Sequence, residues 1–181
     1  MKTINRILTS RQKFRFNMNT FSIIAAVAQD NAIGKDGDLL WHIHQDMIFF
    51  KNTTKEHPVI MGRKTWESLQ VRPLPKRENI VITSDKDFAF QGVKVLHSVE
   101  QIQTLPPYDK EVFVIGGGSI YAKMLPHCLK LYITKVFNTY PDADTFFPEI
   151  DMTVWQCISQ SEVMTDAKSN LQFQFQCFSR R

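Results

Sequence analysis

Asp46 lies in the stretch Trp41-His42-Ile43-His44-Gln45-Asp46-Met47-Ile48-Phe49-Phe50-Lys51. In a helix beginning near His44, its neighbours at i−3, i+3 and i+4 are Ile43, Phe49 and Phe50, so the acid shares an apolar face. Burying a lone carboxylate is costly, so such a group finds a charged or hydrogen-bonding partner or stays protonated. The neighbouring sequence supplies none. One reading is a ligand cation; the other is a first-turn acid facing solvent, a common placement at helix starts. Spacing alone leaves both open.

Two strand–glycine–helix junctions carry a second kind of chemistry. In Met61-Gly62-Arg63-Lys64-Thr65 the glycine allows close approach to the backbone, the next helix presents free N–H groups, and two cations stand beside them. An anion, phosphate above all, suits that spot. Ile115-Gly116-Gly117-Gly118-Ser119 forms a similar cradle, but Tyr121 takes the place of the third glycine of GxGxxG, so it is not the Rossmann fingerprint. Either junction alone could be a tight turn. Two in one small sheet, near the Asp46 helix, suit a dinucleotide with a flat substrate, lying outside the carboxyl ends of the strands.

Other reactive constellations are missing from the sequence. His42, His44, His57, His97 and His127 form no HExxH and have no GxSxG partner. Asp142 and Asp144 lack the glycine and terminal glutamate of an EF-hand loop and read as loop acids. Cys128, Cys157 and Cys177 are widely spaced, with no CxxC. They fit a reducing compartment and small hydrophobic positions rather than a zinc site or disulfide framework, and no metal site is expected.

The elements that must hold these groups follow from the apolar runs. Phe21 to Ala28, Pro58 to Gly62, Asn79 to Thr83, Val93 to Leu96, Val112 to Ile115 and Leu129 to Val136 read as strands, the first two as buried ones. Helices are expected from His44, over Arg63 to Leu69, and from Ser119 to Leu125, where Pro126 stops the last. Ile33 to Asp38 reads as a flexible Gly/Asp loop. Leu171 to Phe178 alternates strictly, as a half-exposed antiparallel strand does. Strands alternating with helices, then late strands without them, give an α/β fold whose mostly parallel sheet carries antiparallel strands at its edge.

The chain has 181 residues, 43% hydrophobic and 22% charged, the composition of one globular domain. No apolar run approaches the roughly 18 residues of a membrane span. The net charge of +4 is concentrated at one end: Lys2, Arg6, Arg11, Lys13 and Arg15 precede any acid, and the remainder holds 17 basic against 18 acidic residues. A near-neutral body argues against a nucleic-acid-binding protein. The basic segment 1–17 is a short arm, a transit-like sequence or translated upstream sequence with Met18 as the true start; the last is preferred, with 18–181 as the domain.

Several motifs in order also resemble a known family. Ala25-Ala26-Val27-Ala28, Ile33-Gly34, Leu39-Leu40-Trp41, Asp46-Met47 and Phe50-Lys51 are followed by Pro58 to Ser68, Arg72-Pro73-Leu74-Pro75-Lys76-Arg77-Glu78-Asn79-Ile80-Val81 and Val114 to Tyr121. From about Thr20 to Arg181 the chain resembles dihydrofolate reductase of the bacterial type. The resemblance implies one domain with a mixed, mostly parallel eight-stranded sheet, antiparallel C-terminal strands and about four flanking helices. It implies a cytoplasmic monomer that needs no nucleic acid or membrane and reduces 7,8-dihydrofolate with NADPH.

Site roles follow from the same resemblance. Asp46 pairs with N3 and the 2-amino group of the pterin, Thr134 supports that contact and Trp41 holds a water. Ile24, Ala26, Met47, Phe50, Leu74 and Ile115 line the pterin and aminobenzoyl pocket. Arg77 grips the α-carboxylate of the glutamate tail, a task for a planar fork. Arg63, Lys64 and Thr65, with Gly62, Thr83 and Ser84, hold the adenosine side of NADPH, where a 2′-phosphate explains adjacent cations. Gly117, Gly118, Ser119 and Ile120 meet the pyrophosphate, with a cis bond expected at Gly116–Gly117. Tyr121 lies beside the nicotinamide, and Ala26, Ile33 and Gly34 complete the cofactor side. Hydride passes to C6 while N5 gains a proton; Asp46 does not touch N5 but orients and polarises the pterin while a water delivers the proton.

Two departures fall near the acid. The family usually has proline where this chain has Leu40, and commonly has proline where it has His44. Both sit in or beside the loop expected to close over the nicotinamide, so loop closure and product release are the properties they affect. An extra residue at Gln70-Val71 lengthens the turn after the cofactor helix. The riboflavin-pathway reductase domain shares this fold and NADPH, but Trp41, Asp46, Phe50 and Arg77 argue against it. A silent folate- or nucleotide-binding module is opposed by the completeness of the site residues.

Overall fold

The computed structural model describes residues 19–181. The basic segment 1–17, with every reading of it, lies outside the described residues. Strands β1 (Phe21–Val27), β4 (Val59–Gly62), β5 (Asn79–Ile82), β6 (Val93–Leu96), β7 (Val112–Val114) and β8 (Cys128–Val136) pair in parallel in the order β8-β1-β7-β4-β5-β6. Strand β12 (Gln172–Arg180) joins β8 antiparallel, and β10 (Trp155–Gln160) and the two-residue β11 (Met164–Thr165) join β12. The eight-strand path therefore matches expectation, with β11 as a short ninth member. Ile23, Ile60, Ile80 and Leu131 are fully buried. Truncating one to alanine costs roughly 2–5 kcal/mol, which is why these strands read as continuous apolar runs.

Three α-helices are described: α1 (His44–Thr54), α2 (Arg63–Ser68) and α3 (Gly118–Met124). A 3-10 helix at Val99–Thr104 is a fourth helical element, and Pro126 sits in a short 3-10 turn, Leu125–His127, that follows α3. That corner is clamped by Arg180, whose Nη2 and Nε donate to the carbonyls of Leu125 and Cys128 at 2.7 and 2.9 Å. Its guanidinium lies 4.6 Å from the Trp155 ring centre. Among the described residues no helix is long and apolar enough to cross a membrane.

The flexible loop expected over Ile33 to Asp38 is instead structured. Ala32–Lys35 (β2) pairs antiparallel with Asp38–Leu39 (β3) and with Thr145–Phe146 (β9) in a small second sheet. Asp36 and Gly37 make the tight turn with φ of 52° and 84°. The Asp144 carboxylate accepts the Asp36 N–H at 2.8 Å, and the Asp144 N–H donates to the Gly34 carbonyl at 3.2 Å. Turn-forming composition does not make the turn mobile, because a partner more than 100 residues away pins it.

Candidate active site

The acid is held on the inner side of α1. Thr134 Oγ1, on β8, donates to Asp46 Oδ1 at 2.6 Å, which removes the solvent-facing reading. Thr134 is buried, and Asp46 is densely surrounded while keeping part of its surface open. Burial pushes the Asp46 carboxyl pKa up from its ordinary value, and the Thr134 hydrogen bond opposes part of that rise. Among the described residues no cation of the protein pairs with it. Phe49, one turn along α1, stacks on Phe175 of β12 with centroids 4.3 Å apart. Trp41 is buried against Tyr140, centroids 5.2 Å apart, in a cluster with Ile43, Ala28 and Phe173; Ala26 and Leu40 border it. Ile24 and Ile115 lie in a neighbouring cluster with Phe50 and Leu74 against it, while Met47 on α1 is 51% exposed.

Both ends of α1 are finished by distant residues. Its N-cap is Ile43, which offers no side-chain cap, and the first helical residue, His44, donates its N–H to Asp166 Oδ1 at 3.2 Å. At the other end Arg77 Nε and Nη2 donate to the carbonyls of Thr54 and Lys51 at 3.1 and 3.3 Å. These are the unpaired carbonyls of a last helical turn. The Arg77 guanidinium lies 5.8 Å from the Phe50 ring centre and borders a cleft of about 320 Å³ with His57, Lys76 and Tyr108. Buried Asn79 positions both Leu74 and Arg77. Its Oδ1 accepts the Leu74 N–H at 3.0 Å and its Nδ2 donates to the Leu74 and Arg77 carbonyls at 2.9 Å. Sequence reasoning took Asn79 only as a strand start. An asparagine opening an otherwise apolar strand was the available signal.

The two glycine junctions meet. The Gly62 N–H donates to the Gly116 carbonyl at 2.7 Å, and the Gly116–Gly117 bond is cis. A Cβ on Gly117 would stand 3.2 Å from Thr65 Oγ1, and one on Gly118 would stand 2.8 Å from the Phe146 carbonyl. Neither α2, with Gly62 as N-cap, nor α3, with Gly117, has a side-chain cap. Two helix starts thus present backbone to the same space, the arrangement that suits a pyrophosphate. Arg63, Lys64 and Ser84 are exposed there, Arg63 in a 3.2 Å surface pair with Glu67. Thr83 is buried at the end of β5, which runs beside β4. Ser119 is exposed and Ile120 buried on α3, and Ile33 is buried beside Gly34 in β2.

Tyr121 joins the two halves. Its buried hydroxyl donates to the Ile24 carbonyl at 2.9 Å and stands 3.2 Å from where a Gly116 Cβ would be. Burial, and then the charge of Asp46, push its pKa up, so it stays a neutral donor. Among the described residues no group of three or more His, Cys, Asp or Glu side chains is placed to hold a metal.

A mostly parallel α/β sheet with a shared glycine junction, and a partly buried acid whose charge reaches Tyr121, fit a protein that holds a nucleotide cofactor. The sequence profile described as dihydrofolate reductase matches residues 20–180. The dihydrofolate reductase of Bacillus subtilis is 39% identical over 160 residues, covering 88% of this chain and 94% of that one. That of Haemophilus influenzae is 38% identical over 162 residues, covering 90% and 99%. A solved dihydrofolate reductase from Enterococcus faecalis, complexed with NADP(H) and RAB-propyl, superposes with a TM-score of 0.82 at 36% identity, covering 90% of this chain and 96% of that one. The chain belongs to the dihydrofolate reductase family.

Proposed function

We propose that residues 18–181 form the catalytic unit of a cytoplasmic, monomeric dihydrofolate reductase in which Asp46 is the acid that holds the pterin. NADPH is the cofactor and dihydrofolate the substrate, as for the family to which the chain belongs. The observation that carries the assignment is the Asp46–Thr134 pair, a carboxylate fixed at 2.6 Å by a neutral hydroxyl and without a cation of its own. Such a group is completed by an N–H donor pair bearing positive charge, the edge that a protonated pterin offers.

NADPH, when bound, supplies the hydride. The chain supplies the rest. The uncapped starts of α2 and α3, with Gly117 and Gly118, receive the pyrophosphate; these glycines let the α3 start pack closely against Thr65 and Phe146, where a side chain would push the backbone away. Arg63 and Lys64, beside Thr65, Thr83 and Ser84, take the 2′-phosphate. Tyr121 closes the nicotinamide side with its hydroxyl anchored to Ile24. Arg77 is stiffened by two helix carbonyls and grips the glutamate carboxylate with the donors left over. Trp41 holds the water that carries a proton to N5, and Asp46 polarises the ring so that N5 accepts it. Ile24, Ala26, Met47, Phe50, Leu74 and Ile115 provide the apolar walls.

The test is oxidation of NADPH in the presence of dihydrofolate, followed by its absorbance, for the full chain and for a chain beginning at Met18. Turnover in both is expected, with 1–17 dispensable. Absence of turnover in both overturns the reading.

A further inference from the structure

We propose that Asp166, far from the acid in sequence, is a positioning residue that sets the height of the Asp46 helix against the sheet through the backbone N–H of His44. This rests on the assignment of Asp46 above. Asp166 closes the turn between β11 and β12, and among the described residues it is the only charged side chain as inaccessible as the core, at 2% exposure. Its two oxygens do different things. Oδ2 accepts the N–H groups of Lys168 and Ser169 at 3.1 and 2.8 Å and the Ser169 hydroxyl at 2.8 Å, which folds its own turn. Oδ1 accepts from the His44 N–H of α1. The turn is locked by backbone bonds as well: the Asp166 N–H donates to Leu171 and the Asn170 N–H donates to Asp166, both at 2.9 Å. The acceptor that meets α1 is therefore rigid.

The helix needs that acceptor. Ile43 cannot cap, the first N–H groups of a helix have no partner within it, and a carboxylate there also meets the positive end of the helix dipole. The link acts two residues before Asp46. One turn further on, Phe49 stacks on Phe175, and Phe175 pairs in register with Thr134, the partner of Asp46. Asp166 lies just before β12, so helix start, aromatic stack and acid are all referred to the same strand pair. A proline at position 44 has no N–H to give, so the tether depends on a residue other than proline standing there.

The test separates the N–H from the side chain. His44→Pro removes the donor, together with the imidazole that His44→Ala controls for, in a tolerated setting, since proline suits the first helical position and Ile43 is already extended at φ −110° and ψ 115°. His44→Ala keeps the donor and removes the exposed imidazole. Single-turnover hydride transfer to dihydrofolate, dihydrofolate and NADPH affinities and thermal unfolding are measured on the full chain for His44→Pro, His44→Ala, Asp166→Ala, Asp166→Asn and the Asp166→Ala/His44→Pro pair. His44→Pro and Asp166→Ala are each expected to slow hydride transfer or weaken dihydrofolate binding roughly fivefold, the scale of one helix cap. The double variant should be no worse than the poorer single, and NADPH affinity should hold. Asp166→Asn, which keeps an acceptor oxygen, should recover part of the loss, and His44→Ala should match the parent.

Additive losses, equal effects of alanine and proline at 44, or NADPH affinity falling in step with dihydrofolate affinity overturn the tether. If Asp166→Ala unfolds, His44→Pro alone decides, because it leaves the Asp166 turn intact; parental behaviour of that variant rejects the proposal. A parent chain that does not reduce dihydrofolate rejects the function itself, a different outcome from a parent that turns over and variants that do not couple.

Discussion

The helix that carries the acid and the two helices that form the glycine cradle begin in opposite ways. Helix α1 has an apolar N-cap and borrows a carboxylate from Asp166, and Arg77 covers its last carbonyls. Helices α2 and α3 begin at glycines with no side-chain cap at all. A helix that must hold one side chain in register is anchored at both ends by groups that are themselves fixed. On the proposed function, the helix starts that receive an anion are left open, because any cap would occupy the site. The acid region depends on side-chain placement and the cradle on backbone placement. The two should therefore fail differently when disturbed.

The largest separation is expected from Asp46→Asn. On the role proposed for Asp46, loss of its charge should lower hydride transfer from NADPH to dihydrofolate by ~10²–10⁴, with partial relief at low pH where solvent protons substitute, while NADPH affinity stays the same. The same change should raise the melting temperature of the ligand-free protein at neutral pH. Burial raises the Asp46 pKa in the fold, so the native state binds its proton more tightly than the unfolded chain does. Stability therefore falls as pH climbs from the unfolded value through the folded one, and the amide removes that loss. Calorimetry at acid and neutral pH checks the sign. An unchanged hydride-transfer rate rejects Asp46 as the acid.

Gly118→Ala should produce the complementary pattern at smaller size. The added methyl meets the Phe146 carbonyl at 2.8 Å, a backbone atom of β9 that moves only if the small sheet shifts. NADPH affinity should fall by about tenfold, with dihydrofolate affinity in the binary complex little changed, measured by fluorescence titration of each ligand. Equal losses for both ligands would show that cradle and acid pocket are not separable.

The same division governs what could be read in the residues. The cradle is contiguous: apolar run, glycine, helix former. Its strands, its two junctions and the switch to antiparallel pairing at Gln172–Arg180 follow from local pattern, and the cis Gly116–Gly117 bond came from family resemblance. Around the acid, local pattern stops at the identity of Asp46. Thr134 entered through the resemblance, and Asp144 and Asp166 escape local pattern because their bonds to Asp36 and His44 join residues that only the fold brings together, whereas Asn79 bonds to Leu74 and Arg77 within its own turn. The difference at Ile33 to Asp38 has the same origin. Glycine and aspartate announce a turn, but whether a turn is mobile depends on its partners, here Asp144 and the strand Thr145–Phe146.

The finest test of the comparison is Thr134→Val, which alters one hydrogen bond and almost no volume. Thr134 is 1% exposed, so valine keeps the packing of β8 against α1 and only the hydroxyl disappears. That hydroxyl lowers the Asp46 pKa against the rise caused by burial, so its removal should move the acid limb of the dihydrofolate-binding profile to higher pH. At neutral pH affinity for dihydrofolate should drop roughly three- to tenfold, the range of one hydrogen bond to a charged group. NADPH affinity should not follow, because the Thr134 hydroxyl bonds to Asp46 and to no residue of the glycine cradle. A lowered affinity with an unmoved acid limb would mean that Thr134 acts by shaping the pocket rather than by holding the carboxylate. A limb that moves upward ties the chemistry of the pocket to the one side-chain bond between α1 and β8.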